Sequence, residues 1–213
     1  MINSDFEAII FDCDGTLVDS EPITVSTLVE HVAEFGLKLD YEEALALFIG
    51  RDMPMIVKVL EERIGQPLPP GFTEEFRHRQ AAALQSSLKS IPGAHQLLGS
   101  ITKPFCIASN APRRKIELNL KVTGLHEFFD SERVFSAYDI ESWKPNPDLF
   151  LHSAAKMEIE PSRCVVIEDS LAGIQAGIAA GMQTIGYAHS AQVKPTCEVP
   201  FVHCLSELIE VLS

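Results

Sequence analysis

The chain is short of positive charge, of cysteine and of long apolar runs, and each shortage excludes something. Lys and Arg number 17 against 30 Asp and Glu, a formal charge of −13 over 213 residues. No basic stretch could neutralise a run of phosphates, which argues against broad nucleic-acid binding, and no nucleic-acid partner is expected. An anionic substrate would be repelled at long range, so a site for one has to supply its own positive charge. The five cysteines, Cys13, Cys106, Cys164, Cys197 and Cys204, are odd in number and scattered, with no C-x-x-C pair for zinc. Reduced thiols fit them best. Cys13 stands between two aspartates, which disfavour a thiolate, and is expected to be an inert spacer. No apolar run approaches the roughly 18 residues that span a bilayer. The apolar run before Asp12 is also too short for the core of a signal peptide. A cytoplasmic monomer with no membrane partner is expected.

What is present is ordinary globular composition, 46% apolar and 22% charged, enough to bury a sizeable core. Phe6–Phe11 reads as a buried strand. From Glu21 to about Ser90 the periodicity is helical throughout. Val25, Leu28, Val29 and Val32 make one apolar face, and Tyr41, Ala44, Leu45 and Phe48 a second that stops at Gly50. Ile56, Val59, Leu60 and Ile64 make a third, opened by Pro54 and stopped by Gly65. After the Pro-rich linker around Pro67–Gly71, Thr73 is expected to cap a helix whose inner side holds Phe76, Gln80, Ala83, Leu84 and Leu88.

From Pro92 onward, helices alternate with apolar strands at Phe105–Ser109, Val134–Phe135, Cys164–Ile167 and Thr184–Tyr187, and a last helix is expected over Leu205–Leu212. That alternation predicts an α/β fold, a doubly wound parallel sheet covered on both faces. In the helix after Ser170, Ala172, Gly173, Ala176, Gly177 and Ala180 are too small to fill a core, which predicts unusually close packing on the sheet.

In such a sheet, ligands bind beyond the carboxyl ends of the strands. The first strand ends in Asp12-Cys13-Asp14-Gly15-Thr16, the second in Ser109-Asn110, and the fourth in Glu168-Asp169-Ser170; Lys144-Pro145 follows the third. Taken singly, each has a plain structural reading: an Asx turn, a helix cap, a surface lysine, an acidic cap. In order, they bring two carboxylate pairs, a hydroxyl and an ammonium to one crevice. Two carboxylates one residue apart at a strand end repel each other unless a cation or a shared proton compensates.

That ordered set, running over essentially the whole chain, resembles the haloacid dehalogenase-like phosphohydrolase superfamily, and the helical insert resembles that family's small α-helical cap. The run Asp12–Glu21 is similar to the version in phosphatases and mutases of small sugar phosphates. The overall run, particularly Phe135–Ile140 before Trp143-Lys144-Pro145, resembles the 6-phosphogluconate phosphatase type within the β-phosphoglucomutase-like group. The resemblance implies a core domain of residues 1–18 and 92–213 and a cap of residues 19–91. It implies a Mg²⁺-dependent phosphatase of small phosphorylated metabolites, sugar phosphates or sugar-acid phosphates such as 6-phosphogluconate. In that scheme Mg²⁺ is held by Asp12, Asp169, Glu168 and the backbone carbonyl of Asp14. Asp12 attacks phosphorus, and Asp14 protonates the leaving alkoxide and later deprotonates water. Ser109 and Lys144 hold the phosphoryl oxygens, with Thr16 and Asn110 as further substrate contacts. Arg51 in the cap loop and Lys115 after the second motif are further candidates for substrate binding.

Other readings are weighed by single residues. A dehalogenase lacks the second aspartate, and Asp14 is present. Asp14 also argues against a phosphonatase, for which Lys38, Lys58 or Lys89 would have to form a Schiff base. A β-phosphoglucomutase has histidine at the place of Thr24 and basic residues near Ile49 and Met53, and this chain has none of them there. A phospho-receiver module would be shorter and lack the insert. A silent phosphate-binding relative would have lost Asp12 or Asp14.

Overall fold

The computed structural model describes residues 5–48, 51–188 and 199–212. Gly50, the expected stop of the second helix, and Ile49 and Cys197 lie outside them. The chain divides into two compact units, Met1–Asp19 with Lys89–Ser213, and Ser20–Leu88.

Among the described residues the first unit holds six parallel strands: β1 (Ala8–Phe11), β2 (Phe105–Ser109), β3 (Val134–Ser136), β4 (Cys164–Glu168), β5 (Gln183–Tyr187) and β6 (Phe201–Val202). They lie in the order β3-β2-β1-β4-β5-β6. Chain order reverses at β1, which has β2 on one side and β4 on the other. Strand order of this kind opens a crevice at the carboxyl ends of the two strands flanking the reversal. The register runs to the strand ends: Phe11 is opposite Ile167, and Asp12 N–H donates to Ile167 O at 2.9 Å. Asp12 and Glu168 are thereby fixed side by side by backbone pairing alone.

Ten α-helices occur among the described residues. The second unit holds α1 (Glu21–Ala33), α2 (Tyr41–Phe48), α3 (Met53–Ile64) and α4 (Phe72–Ser87). The first holds α5 (Ala94–Ser100), α6 (Arg113–Thr123), α7 (Ala137–Ile140), α8 (Asp148–Lys156), α9 (Leu171–Ala179) and α10 (Ile209–Leu212). On one face of the sheet, Ala8, Ile10, Cys106, Ala108 and Val166 pack against Leu149, Phe150 and Ala154 of α8 and Ala176 of α9. Ile9, Phe11, Phe105 and Ile107 point the other way by strand alternation and are equally buried. A sheet covered on both faces explains why its strands read as unbroken apolar runs.

The close packing expected of α9 is found. A Cβ on Gly177 would stand 2.5 Å from Thr184 Oγ1, and one on Gly173 would stand 1.8 Å from Glu168 Oε2. Ser170 caps the helix, accepting from Gly173 N–H at 3.0 Å. Leu17–Asp19 and Lys89–Ile91 pair across the two ends of the insertion, with Asp19 N–H donating to Lys89 O at 3.0 Å and Ile91 N–H to Leu17 O at 2.8 Å.

The second unit is a helical bundle with its own core, in which Val25, Leu28 and Val32 meet Ile56, Leu60, Phe72 and Phe76. For α3 the start and stop signals hold: Pro54 stands in the first turn and Gly65 ends the helix in a left-handed conformation, while the structure adds a cap, Asp52 accepting from Met55 N–H. Two details differ from expectation. The inner side of α2 is Ala44 and Leu47, and Tyr41 is exposed; a two-turn amphipathic run admits either stripe, and packing against α1 selects this one. Likewise α4 starts at Phe72 after Gly71, one residue before the expected Thr73 cap. Stacking of Phe72 on the buried His31 ring, centroids 4.4 Å apart, draws that residue into the helix. Thr24 accepts a hydrogen bond from Gln80 Nε2 at 2.8 Å. Among the described residues no helix is long and apolar enough to cross a membrane.

In the first unit, β6 is an addition the sequence did not announce, being two residues long after Pro200. The last expected helix begins as a 3₁₀ turn, Leu205–Leu208, before α10. It is held by Glu207, whose carboxylate accepts from the His203 and Cys204 N–H groups, both at 2.9 Å.

Candidate active site

Lys144 is the centre of the arrangement. Its side chain is 2% exposed, and Nζ donates to Asp12 Oδ1 at 2.5 Å and to Glu168 Oε2 at 2.7 Å. It also lies 4.8 Å above the Phe150 ring. Burial disfavours the ammonium, but Asp12 and Glu168 together more than offset that and raise its pKa above the ordinary lysine value. Its backbone is gripped on both sides by Asn110: Lys144 N–H donates to Asn110 Oδ1 at 2.9 Å, and Asn110 Nδ2 donates to Lys144 O at 3.2 Å. A lysine in a Pro-rich loop is thus turned inward and held there.

Glu168 is fully engaged. Oε1 accepts from the Asp169 and Ser170 N–H groups and from Ser170 Oγ, at 2.9–3.1 Å, while Oε2 takes Lys144. Gly173 makes room for this, since any side chain there would overlap the carboxylate. Asp169 in turn accepts from Thr16 Oγ1 at 2.9 Å, and lies against Gly15, whose φ of +88° turns the loop after Asp14.

Oxygens of Asp12, Glu168 and Asp169 all lie within 4.8 Å of one another. Three carboxylates against one ammonium leave two negative charges in a buried space. The Asp12 carboxyl is accordingly pushed up to about 7, by burial first and then by Glu168. Asp169 is raised well above the usual carboxylate range by burial, Glu168 and Asp12. A hard divalent cation fits both the all-oxygen donor set and the excess charge, so the triad could hold a metal ion. Asp12 and Asp169 offer oxygens to it more readily than Glu168, whose oxygens already have protein donors.

The Asp14 carboxylate stands apart from that cluster. Oδ1 accepts from Lys115 Nζ at 2.7 Å and from Asn119 Nδ2 at 3.0 Å. The two aspartates of the motif therefore have separate charge partners. Between them Cys13 is fully buried, and burial, with Asp14 and Asp12 adding, pushes its thiol far above its ordinary pKa, as expected of a spacer. Ser109 is buried at the end of β2, and its hydroxyl accepts from Ala111 N–H at 3.1 Å.

Within the first unit, Asp12, Thr16, Asn110, Lys144, Glu168 and Asp169 are joined by direct contacts, Asp14 and Lys115 form a separate pair, and Ser109 stands buried at the end of β2. Arg51 lies in the second unit, where Nη1 donates to Ala46 O at 2.8 Å. Asn119 was not singled out from the sequence; Gly15 was read only as part of the first motif, and Gly173 only for the close packing of its helix. Asn119 had a signal, for it is four residues after Lys115 on the inner face of α6 beside Leu120, where an apolar residue is expected.

Carboxylate pairs and a buried lysine gathered where the strand order reverses are the arrangement of haloacid dehalogenase-like hydrolases. The chain belongs to that family, whose pattern matches residues 9–187. It is 39% identical to the 6-phosphogluconate phosphatase of Escherichia coli strain K12, over 98% of this chain and 95% of that protein. Among solved structures it resembles a haloacid dehalogenase-like protein of Agrobacterium tumefaciens, at 32% identity and a TM-score of 0.82 over 97% of both chains. It also resembles a family hydrolase of Deinococcus radiodurans, solved with bound phosphate and sodium, at 31% identity and a TM-score of 0.79 over 99% of each chain.

Proposed function

We propose that this enzyme, a phosphatase of the haloacid dehalogenase-like family, hydrolyses small sugar phosphates or sugar-acid phosphates such as 6-phosphogluconate, with Mg²⁺ as its metal. The observation that carries the reading is the Lys144 ammonium clamped between Asp12 and Glu168, with Asp169 beside them, at the end of the central strands. The E. coli relative supports the substrate class.

In this scheme Asp12 is the nucleophile. Its oxygen bonds to phosphorus as the ester P–O bond breaks, and Asp14 gives its proton to the departing alkoxide. Water, losing a proton to Asp14, then attacks the phosphorus of the aspartyl-phosphate, releasing inorganic phosphate and restoring Asp12. Lys144 holds Asp12 in place and offsets charge on the phosphoryl oxygens, with Ser109, Thr16 and Asn110 beside them. Asp12, Asp169 and the Asp14 carbonyl, with Glu168 in support, would hold Mg²⁺, which when bound would supply positive charge against the carboxylates and the incoming dianion. The Ser20–Leu88 unit takes the part of a cap that reads the leaving group, and Arg51 is its candidate contact.

The test is phosphate release from a panel of phosphorylated metabolites, with Mg²⁺ and with EDTA. The panel includes 6-phosphogluconate and β-glucose 1-phosphate, the latter scored also for glucose 6-phosphate. Mg²⁺-dependent phosphate release is expected. No turnover on any compound, or turnover indifferent to EDTA, overturns the reading. Asp12→Asn is expected to fold and to be inactive.

A further inference from the structure

Helix α6 carries two polar side chains one turn apart, and both end on the same oxygen. Lys115 Nζ and Asn119 Nδ2 donate to Asp14 Oδ1 at 2.7 and 3.0 Å. Residues four apart share a helix face, and that face is otherwise inward and apolar, with Ile116 and Leu120 buried beside them. Asn119 is completely buried, and its Oδ1 has no hydrogen-bond partner among the described residues. A leucine there would pack without orphaning a polar atom. The amide has to turn its NH₂ toward Asp14, because its oxygen would repel the carboxylate, and the orphaned oxygen is the consequence of that choice.

Lys115 is similarly committed. Its side chain is 18% exposed and that of Asp14 25%, so the pair is mostly withdrawn from water, where charge-assisted hydrogen bonds hold geometry well. Both donors reach Oδ1 from one rigid helix. A proton carried by Asp14 therefore resides on Oδ2, since Oδ1 already accepts two hydrogen bonds.

We propose that Lys115 and Asn119 are positioning residues for Asp14, holding its carboxylate so that proton transfer to the leaving group and from water passes through Oδ2. The inference rests on the phosphatase reading and deepens it: one lysine serves the nucleophile and another serves the acid–base aspartate. Lys115 then acts through Asp14 rather than as a direct grip on substrate. No new step is added; the proton still travels from Asp14 to the alkoxide, and from water back to Asp14.

The experiment is a comparison of leaving groups. A sugar alkoxide needs a proton to depart, whereas p-nitrophenolate does not, so a misplaced acid costs the first more than the second. Single-turnover phosphoryl transfer is measured for the fastest alkyl phosphate of the panel and for p-nitrophenyl phosphate, in wild type, K115M and N119L. The alkyl-to-aryl rate ratio is expected to fall about 10- to 100-fold in K115M, with KM nearly unchanged, and to fall in the same direction in N119L. Lys115→Arg is expected to recover part of the ratio. K115M alters a partly exposed side chain, so the test stands even where N119L folds poorly. An unchanged ratio, or a raised KM with normal kcat, overturns the proposal alone. A wild-type enzyme that hydrolyses neither ester overturns the phosphatase reading with it.

Discussion

Gly15 and Asp169 approach so closely that no side chain fits between them. A Cβ on Gly15 would lie 2.1 Å from Asp169 Oδ2, and the residue holds a φ of +88°. Gly15→Ala therefore meets two penalties. Left-handed backbone costs a non-glycine residue about 1–2 kcal/mol, and the methyl group displaces a carboxylate that Thr16 holds at 2.9 Å. We expect urea unfolding to show a loss of at least about 1–2 kcal/mol, the backbone penalty alone, and Mg²⁺ affinity and turnover to fall about 10- to 100-fold. Gly181, at φ +72° with nothing within 4 Å, is the control. Its alanine variant should show the stability loss with activity intact. Equal activity in the two variants would show that Gly15 matters only for backbone conformation.

Removing the ammonium from its carboxylates tests the centre of the site. Lys144→Met leaves the Asp12, Glu168 and Asp169 carboxylates together, the first two buried, without a positive charge. Breaking a buried pair by deleting one partner costs about 3–5 kcal/mol, and loss of a charge-stabilising donor lowers kcat about 100- to 1,000-fold. Metal-free unfolding should register the first effect and steady-state kinetics the second. Mg²⁺ should raise the melting temperature of the variant more than that of wild type, because it supplies the missing charge. The same Mg²⁺ response in both would argue against the cluster as the metal site.

The raised carboxyl of Asp12 makes metal-free stability depend on pH. Its ordinary value is 3.8, and in the folded protein it is pushed up to about 7 by burial and Glu168. Between those values the folded chain holds a proton that the unfolded chain has released, so stability is greatest below pH 4 and is lost as pH rises toward 7. His31 works the other way, since burial lowers its pKa and stability is lost as pH falls. The comparison is therefore with Asp12→Asn, which deletes the first effect and leaves that of His31 in place. The stability advantage of that variant over wild type should grow from pH 5 to pH 7 and then level off. An advantage that shrinks over that range would contradict the burial argument. Because metal displaces these protons, Mg²⁺ affinity in wild type should weaken as pH falls below 7, by up to about tenfold per unit for each proton displaced.

Much of the site was legible because backbone topology carries it. Asp12, Ser109 and Glu168 stand at the ends of apolar runs, and parallel pairing brings such ends together whatever lies between them. Lys144 was legible only through its place in the motif order, since nothing local in Trp143-Lys144-Pro145 says that the side chain turns inward; the Asn110 amide, 34 residues away, does that. What stayed hidden is the group approached. The small residues of α9, Gly173 among them, announced close packing and Gly15 a turn, but only three dimensions show that a carboxylate stands where each Cβ would be. Asn119 hid for a related reason: a polar residue on a helix looks solvent-facing until the phase of Ile116 and Leu120 puts it inside.

The Asn110 amide separates two accounts of one residue. The motif resemblance makes it a substrate contact, whereas its side chain makes two hydrogen bonds to the backbone of Lys144, at 2.9 and 3.2 Å. Each is worth about 1 kcal/mol, so Asn110→Ala should lose about 1–3 kcal/mol of stability once the exposed backbone groups are included. If the amide works by holding Lys144, the ammonium slips from its place between Asp12 and Glu168. A shift of that kind lowers kcat by up to about 100-fold while substrate binding is largely kept. If instead it binds phosphate directly, KM should rise and stability should change little. Asn110→Asp refines the choice, because it keeps the acceptor for Lys144 N–H, loses the donor and adds a negative charge. Partial recovery of stability with depressed kcat is the result expected of a backbone clamp. A variant with full stability and a KM raised tenfold would return Asn110 to the substrate.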